Sequence, residues 1–315
     1  MTAAHLPDAT PDNWVDRYAP LSSRPWLKLA RFDRPIGAWL LMLPGWQAVA
    51  LAGAMQGRGP DPRLLVLIGL GAFVMRGAGC AYNDIVDRDV DAKVARTALR
   101  PIPSGQIGVR QAWAYVCGLS LVGLAILLTL GPAAIALGVG SLVLVAAYPF
   151  MKRITWWPQA WLGLTFNWGA LLGYAAATGT LGWPAALLYA SGFFWTLGYD
   201  TIYAVQDMED DALVGVKSSA LRLGARAPAA VLGFYALTVA LALVAAAVGG
   251  LGPLFLPFAG LYALQLCWQA AQLRIDDGSG ALRLFRSNRE AGLILFLALI
   301  AGLWRHAGDL VGGLG

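Results

Sequence analysis

Residues 64–91, LLVLIGLGAFVMRGAGCAYNDIVDRDVD, place a long apolar run directly before a run of acids. The apolar part has about 20 residues, which is enough for a helix to cross the hydrocarbon core of a bilayer. Carboxylates beside lipid are costly unless a cation neutralises them, and a cluster of oxygen ligands favours a hard divalent cation such as Mg²⁺. This stretch therefore predicts a membrane helix that ends in a magnesium site at the membrane surface.

A second acidic run, DTIYAVQDMEDD at residues 200–211, also follows an apolar segment. We call residues 83–91 the first acidic box and residues 200–211 the second acidic box. On a continuous helix each box presents its oxygens to one side, because the spacings of its residues match the helical turn. Asn83 lies next to this side, one residue before Asp84. The positions on this side are Asp84, Asp87 and Asp91 in the first box and Asp200, Tyr203, Asp207 and Asp211 in the second. Solvated loop charges are the alternative, and they explain one acidic cluster better than two at matching places.

The composition predicts an all-α, polytopic membrane protein, since 58% of its 315 residues are hydrophobic and 13% are charged. We expect a single transmembrane domain over residues 31–311, with two four-helix halves and a ninth helix around a central cavity. The two halves would bring the acidic boxes across that cavity. The nine predicted spans are about 36–56, 63–83, 111–130, 132–151, 158–178, 182–203, 228–248, 251–272 and 291–310.

The distribution of Lys and Arg predicts the orientation of the chain in the membrane, because basic residues concentrate on the cytoplasmic side. Residues 1–30 are expected to form a cytoplasmic tail, and the active site is expected on the same side, in a bacterial inner membrane. The net charge of +5 is then a topology signal and gives no reason to infer nucleic acid binding. Nothing in the sequence requires an obligatory protein partner.

The chain has few histidines and cysteines that could form a catalytic or metal site. Two histidines lie near opposite ends, and the three cysteines form no CxxC pair. The sequence therefore does not predict a zinc hydrolase site or a Ser-His-Asp triad. The cysteines are interpreted as small apolar residues.

Arg76 lies inside the apolar run, seven positions before Asn83 and so on the same helical face, two turns deeper. At that depth the side chain is near the limit of its reach to the surface, which favours an ion pair or a phosphate contact. A diphosphate leaving group needs its charge neutralised as the bond breaks. Arg76 is therefore a candidate for the diphosphate site.

Five more basic residues lie beside the boxes or at the end of the fourth predicted span: Arg96, Arg100, Lys152, Arg153 and Lys217. Two roles explain the loop residues Arg96, Arg100 and Lys217 equally well. They could contact diphosphate, or they could be ordinary positive charges on the inner side of the membrane. Lys152 and Arg153 suit a carboxylate or a phosphate, with arginine the better match for a planar carboxylate. Topology charge alone is the alternative for these two.

At these residues the chain resembles the UbiA superfamily of intramembrane aromatic prenyltransferases. The first box reads as the motif NDxxDxxxD and the second as DxxYAxxDxxDD. The resemblance covers about residues 25–305. Softer blocks resemble the branch that uses 4-hydroxybenzoate: Arg34-Pro35-Ile36-Gly37, residues 75–80, Arg96-Thr97, residues 100–105, residues 148–153 and Gly215-Val216-Lys217-Ser218.

The resemblance implies Mg²⁺-dependent transfer of a polyprenyl group from polyprenyl diphosphate to position 3 of 4-hydroxybenzoate, in ubiquinone biosynthesis. The implied partners are these two substrates and the lipid bilayer. The implied metal ligands are Asn83, Asp84, Asp87, Asp91, Asp207 and Asp211. The implied catalytic residues are Asp200, Arg76 and Lys217. The implied substrate-binding residues are Arg153, Lys152, Tyr148, Tyr203, Arg96, Arg100 and Ser218.

Two other functions remain open from the sequence. The same enzyme type with a different acceptor, such as homogentisate, a naphthoate or a porphyrin-derived substrate, would keep both boxes. A membrane transporter would also use intramembrane charges and a two-half architecture. The position of the acids at one face, rather than at mid-membrane, argues against the transporter.

Overall fold

The computed structural model describes residues 13–93 and 97–304, and every regular element among them is a helix. This confirms the predicted all-α class. The α-helices are α1 Trp14–Tyr18, α2 Arg24–Leu29, α3 Ile36–Met55, α4 Pro62–Asp91, α5 Val109–Leu127, α6 Pro132–Ile154, α7 Pro158–Phe166, α8 Trp168–Thr178, α9 Trp183–Val205, α10 Met208–Val214, α11 Ser219–Leu223, α12 Ala227–Val248, α13 Phe255–Gln272, α14 Gly278–Arg286 and α15 Asn288–Ala301, with a 3-10 turn at Gly224–Arg226.

Five helical stretches of the described chain are long and apolar enough to cross a membrane: Ile36–Met55, Pro62–Asp91, Val109–Leu127, Pro132–Ile154 and Ser219–Val248. The count of nine spanning helices and the central cavity remain predictions. The fifth predicted span shows one reason for the difference, because Asn167 separates it into α7 and α8.

The chain divides into two compact units. One comprises residues 1–39 and 70–129, and the other comprises residues 40–69 and 130–315. The first unit holds the first acidic box, and the second unit holds the second box. The predicted single domain over 31–311 and its division into four-helix halves remain predictions.

In the first unit an apolar cluster surrounds the base of the first acidic box. It joins Leu29 of α2, Ala81 and Ile85 of α4, Ile107 of the loop after the box, and Ala112 of α5. All of these side chains are buried. This packing holds the loop after the box close to the helix that carries it.

The N-terminal segment, predicted only as a tail, is folded from residue 13. Asn13 caps α1 by accepting a hydrogen bond from Asp16 N, and Val15 and Leu29 are fully buried. Lys28 Nζ lies 2.7 Å from Asp16 Oδ1 and links the first two helices. Residues 1–12 lie outside the described chain, and the cytoplasmic location of this segment remains a prediction.

In the second unit α9 packs against α12 and carries the start of the second acidic box at its end. A Cβ at Gly198 would collide with the ring of Tyr235, so glycine lets these two helices approach closely. Several buried polar side chains are paired, as Trp195 Nε1 donates to Asn288 Oδ1 at 2.8 Å and Tyr235 Oη donates to Gln269 Oε1 at 2.7 Å. Such pairing satisfies polar groups where water is excluded, and it links α9 to α15 and α12 to α13.

Candidate active site

The first acidic box lies within one uninterrupted helix, since α4 runs from Pro62 to Asp91. Asp84 and Asp87 are fully buried, and Asp91 is 6% exposed. Asn83 Nδ2 donates a hydrogen bond to Asp87 Oδ2 at 3.0 Å. Buried carboxylates are unfavourable unless they are paired with cations or donors, so the neighbours of this box decide its chemistry.

Two guanidinium groups pair with these carboxylates. Arg100 Nη1 lies 2.7 Å from Asp91 Oδ2 and 3.4 Å from Asp84 Oδ1. Arg31 Nη2 donates to Asp84 Oδ1 at 2.8 Å. The loop that presents Arg100 is anchored to the box, because Thr97 Oγ1 donates to the carbonyl oxygen of Asp91 at 2.8 Å. Arginines of the same unit thus neutralise part of the negative charge of the first box.

One oxygen of the box stands out. Asp84 Oδ2 is buried and has no hydrogen-bond partner among the described residues, although Oδ1 of the same carboxylate faces two arginines. A buried acceptor without a partner is costly, and a bound cation would remove that cost. Four oxygen-bearing side chains at positions 83, 84, 87 and 91 form a donor set that suits Mg²⁺.

No group of three or more His, Cys, Asp or Glu side chains within the described chain is close enough to hold a metal ion as it stands. The predicted magnesium site is therefore not preformed in those residues. The physical reason at the first box is visible, because Arg100 bridges two of its carboxylates. The donor chemistry fits a divalent cation, and binding one would require these ion pairs to rearrange.

Arg76 passes over the start of α3. A Cβ on Gly37 would lie 2.6 Å from Arg76 Nε and 2.9 Å from Arg76 Nη2, so a larger residue at position 37 would force this guanidinium to shift. The side chain of Arg76 is half-buried. The close approach explains a glycine at the position that follows Arg34-Pro35-Ile36. The contact of Arg76 with diphosphate remains a prediction.

The turn between α2 and α3 brings Arg31 to the box. Arg31 has φ of 58°, the only positive value for a non-glycine residue in the described chain. The left-handed region costs an ordinary L-residue roughly 1–2 kcal/mol. Such strain persists only where surrounding contacts hold it. Sequence reasoning missed Arg31, because a contact between residues 53 positions apart leaves no local pattern and this arginine had been counted as topology charge.

The second acidic box is not on one continuous helix, so that prediction is wrong. Helix α9 ends at Val205, and Asp207 precedes α10 with φ of −107° and ψ of 0°. Gln206 N and Asp207 N bond the carbonyls of Tyr203 and Ala204 in a tight turn. Acidic residues favour a helix start, because the N-terminal backbone amides carry partial positive charge. The run of acids from Asp207 onward therefore starts a new helix.

The acids of the second box are less deeply buried than those of the first. Asp207 is 9% exposed, and Asp200 and Asp211 are half-buried. The ring of Tyr203 packs against Phe285 of α14, with centroids 4.6 Å apart. Tyr203 thus has a packing role, and its contact with substrate remains a prediction.

Lys217 follows α10 in the chain and contacts the C-terminal end of α6, which carries the predicted substrate-binding residue Lys152. Its backbone amide donates to the carbonyl of Lys152 at 3.1 Å, and its Nζ donates to the carbonyl of Ile154 at 3.3 Å. The same Nζ lies 5.9 Å from the ring centroid of Trp156, within cation–π range. The structure therefore places Lys217 with the basic end of α6.

The other predicted binding residues have different surroundings. Ser218 is buried and caps α11, where its hydroxyl accepts a hydrogen bond from Leu221 N. Tyr148 is half-buried and Arg153 is exposed. Arg96 lies outside the described residues. Substrate contacts of all four remain predictions.

Residues 41–302 match the UbiA prenyltransferase family. The human protein named 4-hydroxybenzoate polyprenyltransferase, mitochondrial, is 47% identical over 291 residues, which cover 91% of this chain and 78% of that protein. Proteins of the same name from other animals and from Arabidopsis thaliana are 44–47% identical. These values hold over most of this chain.

The same relatives correct one prediction. They are named as mitochondrial proteins of eukaryotes, so the expectation of a bacterial inner membrane is contradicted. Positive charge in the loops had supported the orientation, but loop charge does not distinguish one membrane compartment from another.

Two solved structures share the fold. The apo structure of a UbiA homolog from Aeropyrum pernix K1 has a TM-score of 0.70 and 29% identity, and the match covers 83% of this chain and 96% of that one. A UbiA homolog from Archaeoglobus fulgidus, bound to GPP and Mg²⁺, has a TM-score of 0.64 and 20% identity over 88% of this chain and 99% of that one. With a family match over most of its length and relatives near 45% identity, the chain belongs to the UbiA prenyltransferase family.

Proposed function

We propose that this chain transfers a polyprenyl group from polyprenyl diphosphate to the ring of 4-hydroxybenzoate, at position 3, with release of diphosphate, in ubiquinone biosynthesis. The observation that carries the choice of acceptor is the 44–47% identity with relatives of that name. The buried oxygen donors of the first box support the metal-dependent chemistry.

In this proposal Asn83, Asp84, Asp87 and Asp91 hold Mg²⁺, with the orphaned Oδ2 of Asp84 as one ligand. A divalent cation, when bound, supplies charge neutralisation for the diphosphate. Asp207 and Asp211 are proposed ligands for a cation on their own unit. A fold relative bound to GPP and Mg²⁺ supports both the metal and the class of prenyl donor.

Arg76 on the first unit is a proposed contact for the diphosphate oxygens, and Lys217 and Lys152 on the second unit are also proposed contacts. Charge on these oxygens grows as the bond between the prenyl carbon and diphosphate breaks, because the electron pair leaves with the diphosphate. The prenyl carbon then forms a bond to the ring carbon ortho to the hydroxyl, and that ring carbon loses its proton to water or to the departing diphosphate.

The acceptor is oriented by two residues. Asp200 at the end of α9 is half-buried and would accept the hydrogen bond of the phenol, which raises electron density on the ring. Arg153 would bind the carboxylate through its planar fork. Its exposure leaves the guanidinium accessible to a ligand.

The test is transfer of radiolabelled 4-hydroxybenzoate onto a prenyl diphosphate by membranes that contain the protein. We expect lipid-soluble label to form. EDTA should abolish its formation, and added Mg²⁺ should restore it. Label on homogentisate or a naphthoate, with none on 4-hydroxybenzoate, would keep the enzyme class and overturn the acceptor. Transfer that is insensitive to EDTA would overturn the metal requirement.

A further inference from the structure

Arg31 makes a contact that the proposed reaction does not yet use. Its side chain is 13% exposed and lies between two oxygens. Nη2 donates to Asp84 Oδ1 at 2.8 Å, and Nη1 donates to the carbonyl oxygen of Lys28 at 3.1 Å. We propose that Arg31 is a positioning residue for the first metal site, which fixes Oδ1 of Asp84 and thereby leaves Oδ2 for a divalent cation. This inference rests on the proposed function.

The asymmetry of the Asp84 carboxylate supports this role. Oδ1 has Arg31 at 2.8 Å and Arg100 at 3.4 Å, whereas Oδ2 is buried and without a hydrogen-bond partner among the described residues. The two oxygens of a carboxylate are chemically equivalent, so the surroundings alone distinguish them. Metal-binding side chains are commonly oriented by hydrogen bonds of this kind from neighbouring residues.

Arg31 differs from Arg100 in what each would do when a cation binds. Arg100 Nη1 joins Asp84 and Asp91, so it occupies space between two proposed ligands and would have to move. The Arg31 guanidinium donates to Oδ1 of Asp84 and to a backbone carbonyl. Neither of these two contacts involves Oδ2, so both can persist while Oδ2 binds a cation.

The N-terminal helices hold Arg31 in place. The Phe32 amide donates to the Leu27 carbonyl at 2.9 Å, which closes the turn around Arg31. From α1, Trp14 Nε1 donates to the Phe32 carbonyl at 2.8 Å. The strained backbone at Arg31 is thus fixed from both sides. These contacts give the segment before α3 a function, because it orients the arginine that orients Asp84.

The experiment measures Mg²⁺ binding directly, by calorimetry on the full-length protein purified in detergent. Arg31→Gly removes the guanidinium and keeps the left-handed turn, since glycine adopts positive φ without strain. We expect this variant to bind Mg²⁺ about tenfold more weakly, the usual lower limit when such an orienting group is lost. Thermal unfolding without metal should occur at a lower temperature than in wild type, because the buried Asp84 carboxylate loses one of its guanidinium partners.

Two milder variants guard against a folding defect. Arg31→Lys keeps the charge and loses the planar fork, and we expect several-fold weaker binding of Mg²⁺. Trp14→Phe removes one N–H donor from the turn and should weaken binding in the same direction by a smaller factor. Unchanged Mg²⁺ affinity in both Arg31 variants would overturn the inference. Tighter binding would also overturn it, because Arg31 would then compete with the cation for Asp84.

A control separates this inference from the proposed function. Asp87→Asn removes a proposed ligand without changing its size. Loss of Mg²⁺ binding in Asp87→Asn, with wild-type binding in Arg31→Gly, would reject the positioning role and leave the metal site standing. Wild-type binding in Asp87→Asn as well would reject the metal site itself.

Discussion

The two acidic boxes have similar compositions and different structures. The first lies on the single helix α4, where Asp84 and Asp91 are buried and paired to Arg31 or Arg100. The second is broken after Val205 and exposes more of its acids to the surroundings. Burial and pairing, rather than the spacing of the acids, therefore decide how firmly a carboxylate cluster is held. The carboxylates of the first box are held by ion pairs, part of which must rearrange before a cation can bind.

The largest expected effect comes from the second box. Asp207→Asn removes the charge of an acid that is only 9% exposed, and we expect transfer to fall by about 100-fold or more because a proposed metal ligand is lost. The matched control is Glu209→Gln, two residues away and exposed, which should keep wild-type turnover. Equal activity of both variants in the membrane assay would break the comparison, because the second box would then have no catalytic role.

The next effect tests the space around Arg76 in the first unit. Gly37→Ala places a Cβ 2.6 Å from Arg76 Nε, so the guanidinium must shift. We expect about tenfold lower kcat/KM for the prenyl diphosphate, as a misplaced cation stabilises the leaving group less well. Gly79→Ala in α4 is the control, since a Cβ there meets nothing within 4 Å. A wild-type rate in Gly37→Ala would remove Arg76 from the diphosphate site.

A smaller effect is expected at the basic end of α6. Arg153→Ala should raise KM for 4-hydroxybenzoate several-fold, with little change for the prenyl diphosphate, because a charge-assisted contact at an exposed site contributes about 1 kcal/mol. Steady-state kinetics with each substrate varied in turn measure this. A larger change for the prenyl diphosphate would move Arg153 to the diphosphate site.

The smallest effect concerns the N-terminal helices. Burial acts to raise the pKa of Asp16, but hydrogen bonds from Lys28 and Asn13 outweigh it, so the pKa is lowered from its ordinary value of 3.8. A lowered folded-state pKa means that this contribution to stability is present above about pH 4 and is lost as the pH falls through the folded value. Hydrogen-exchange protection of residues 13–30, corrected for the intrinsic pH dependence of exchange, should therefore fall slightly below pH 4.

The matched variant for this effect is Asp16→Asn, which cannot lose a charge. Its protection factors should be lower than those of wild type at pH 7 and should change less on acidification. Identical acid responses of the two proteins would show that Asp16 does not anchor α1.

Sequence reasoning predicted what is local and periodic. The apolar runs became helices, and α4 continues through Asp91 because nothing in residues 83–91 stops a helix. The sequence does not predict the break after Val205, because the polar residues of the second box keep their helical spacing through Gln206 and Asp207. The split of the fifth span at Asn167 was missed for the same reason, as one polar residue in an apolar run leaves its pattern intact.

Contacts between distant residues were beyond prediction. The pairing of Arg31 with Asp84 joins a turn to a helix 53 positions later. In the sequence, Arg31 cannot be distinguished from the neighbouring basic residues that indicate the orientation in the membrane. Arg100 could be anticipated because it follows the box closely in the chain. The need for glycine at position 37 depends on the path of Arg76, which only the folded chain defines.

The most direct test of the account compares Asp87→Asn with Asp89→Asn in the same membrane transfer assay. Asp87 is fully buried among the proposed ligands, whereas the side chain of Asp89 is 79% exposed on the same helix. The account predicts that Asp87→Asn loses Mg²⁺-dependent prenylation of 4-hydroxybenzoate and that Asp89→Asn retains the wild-type rate. Wild-type turnover in Asp87→Asn, at equal amounts of folded protein, would contradict it.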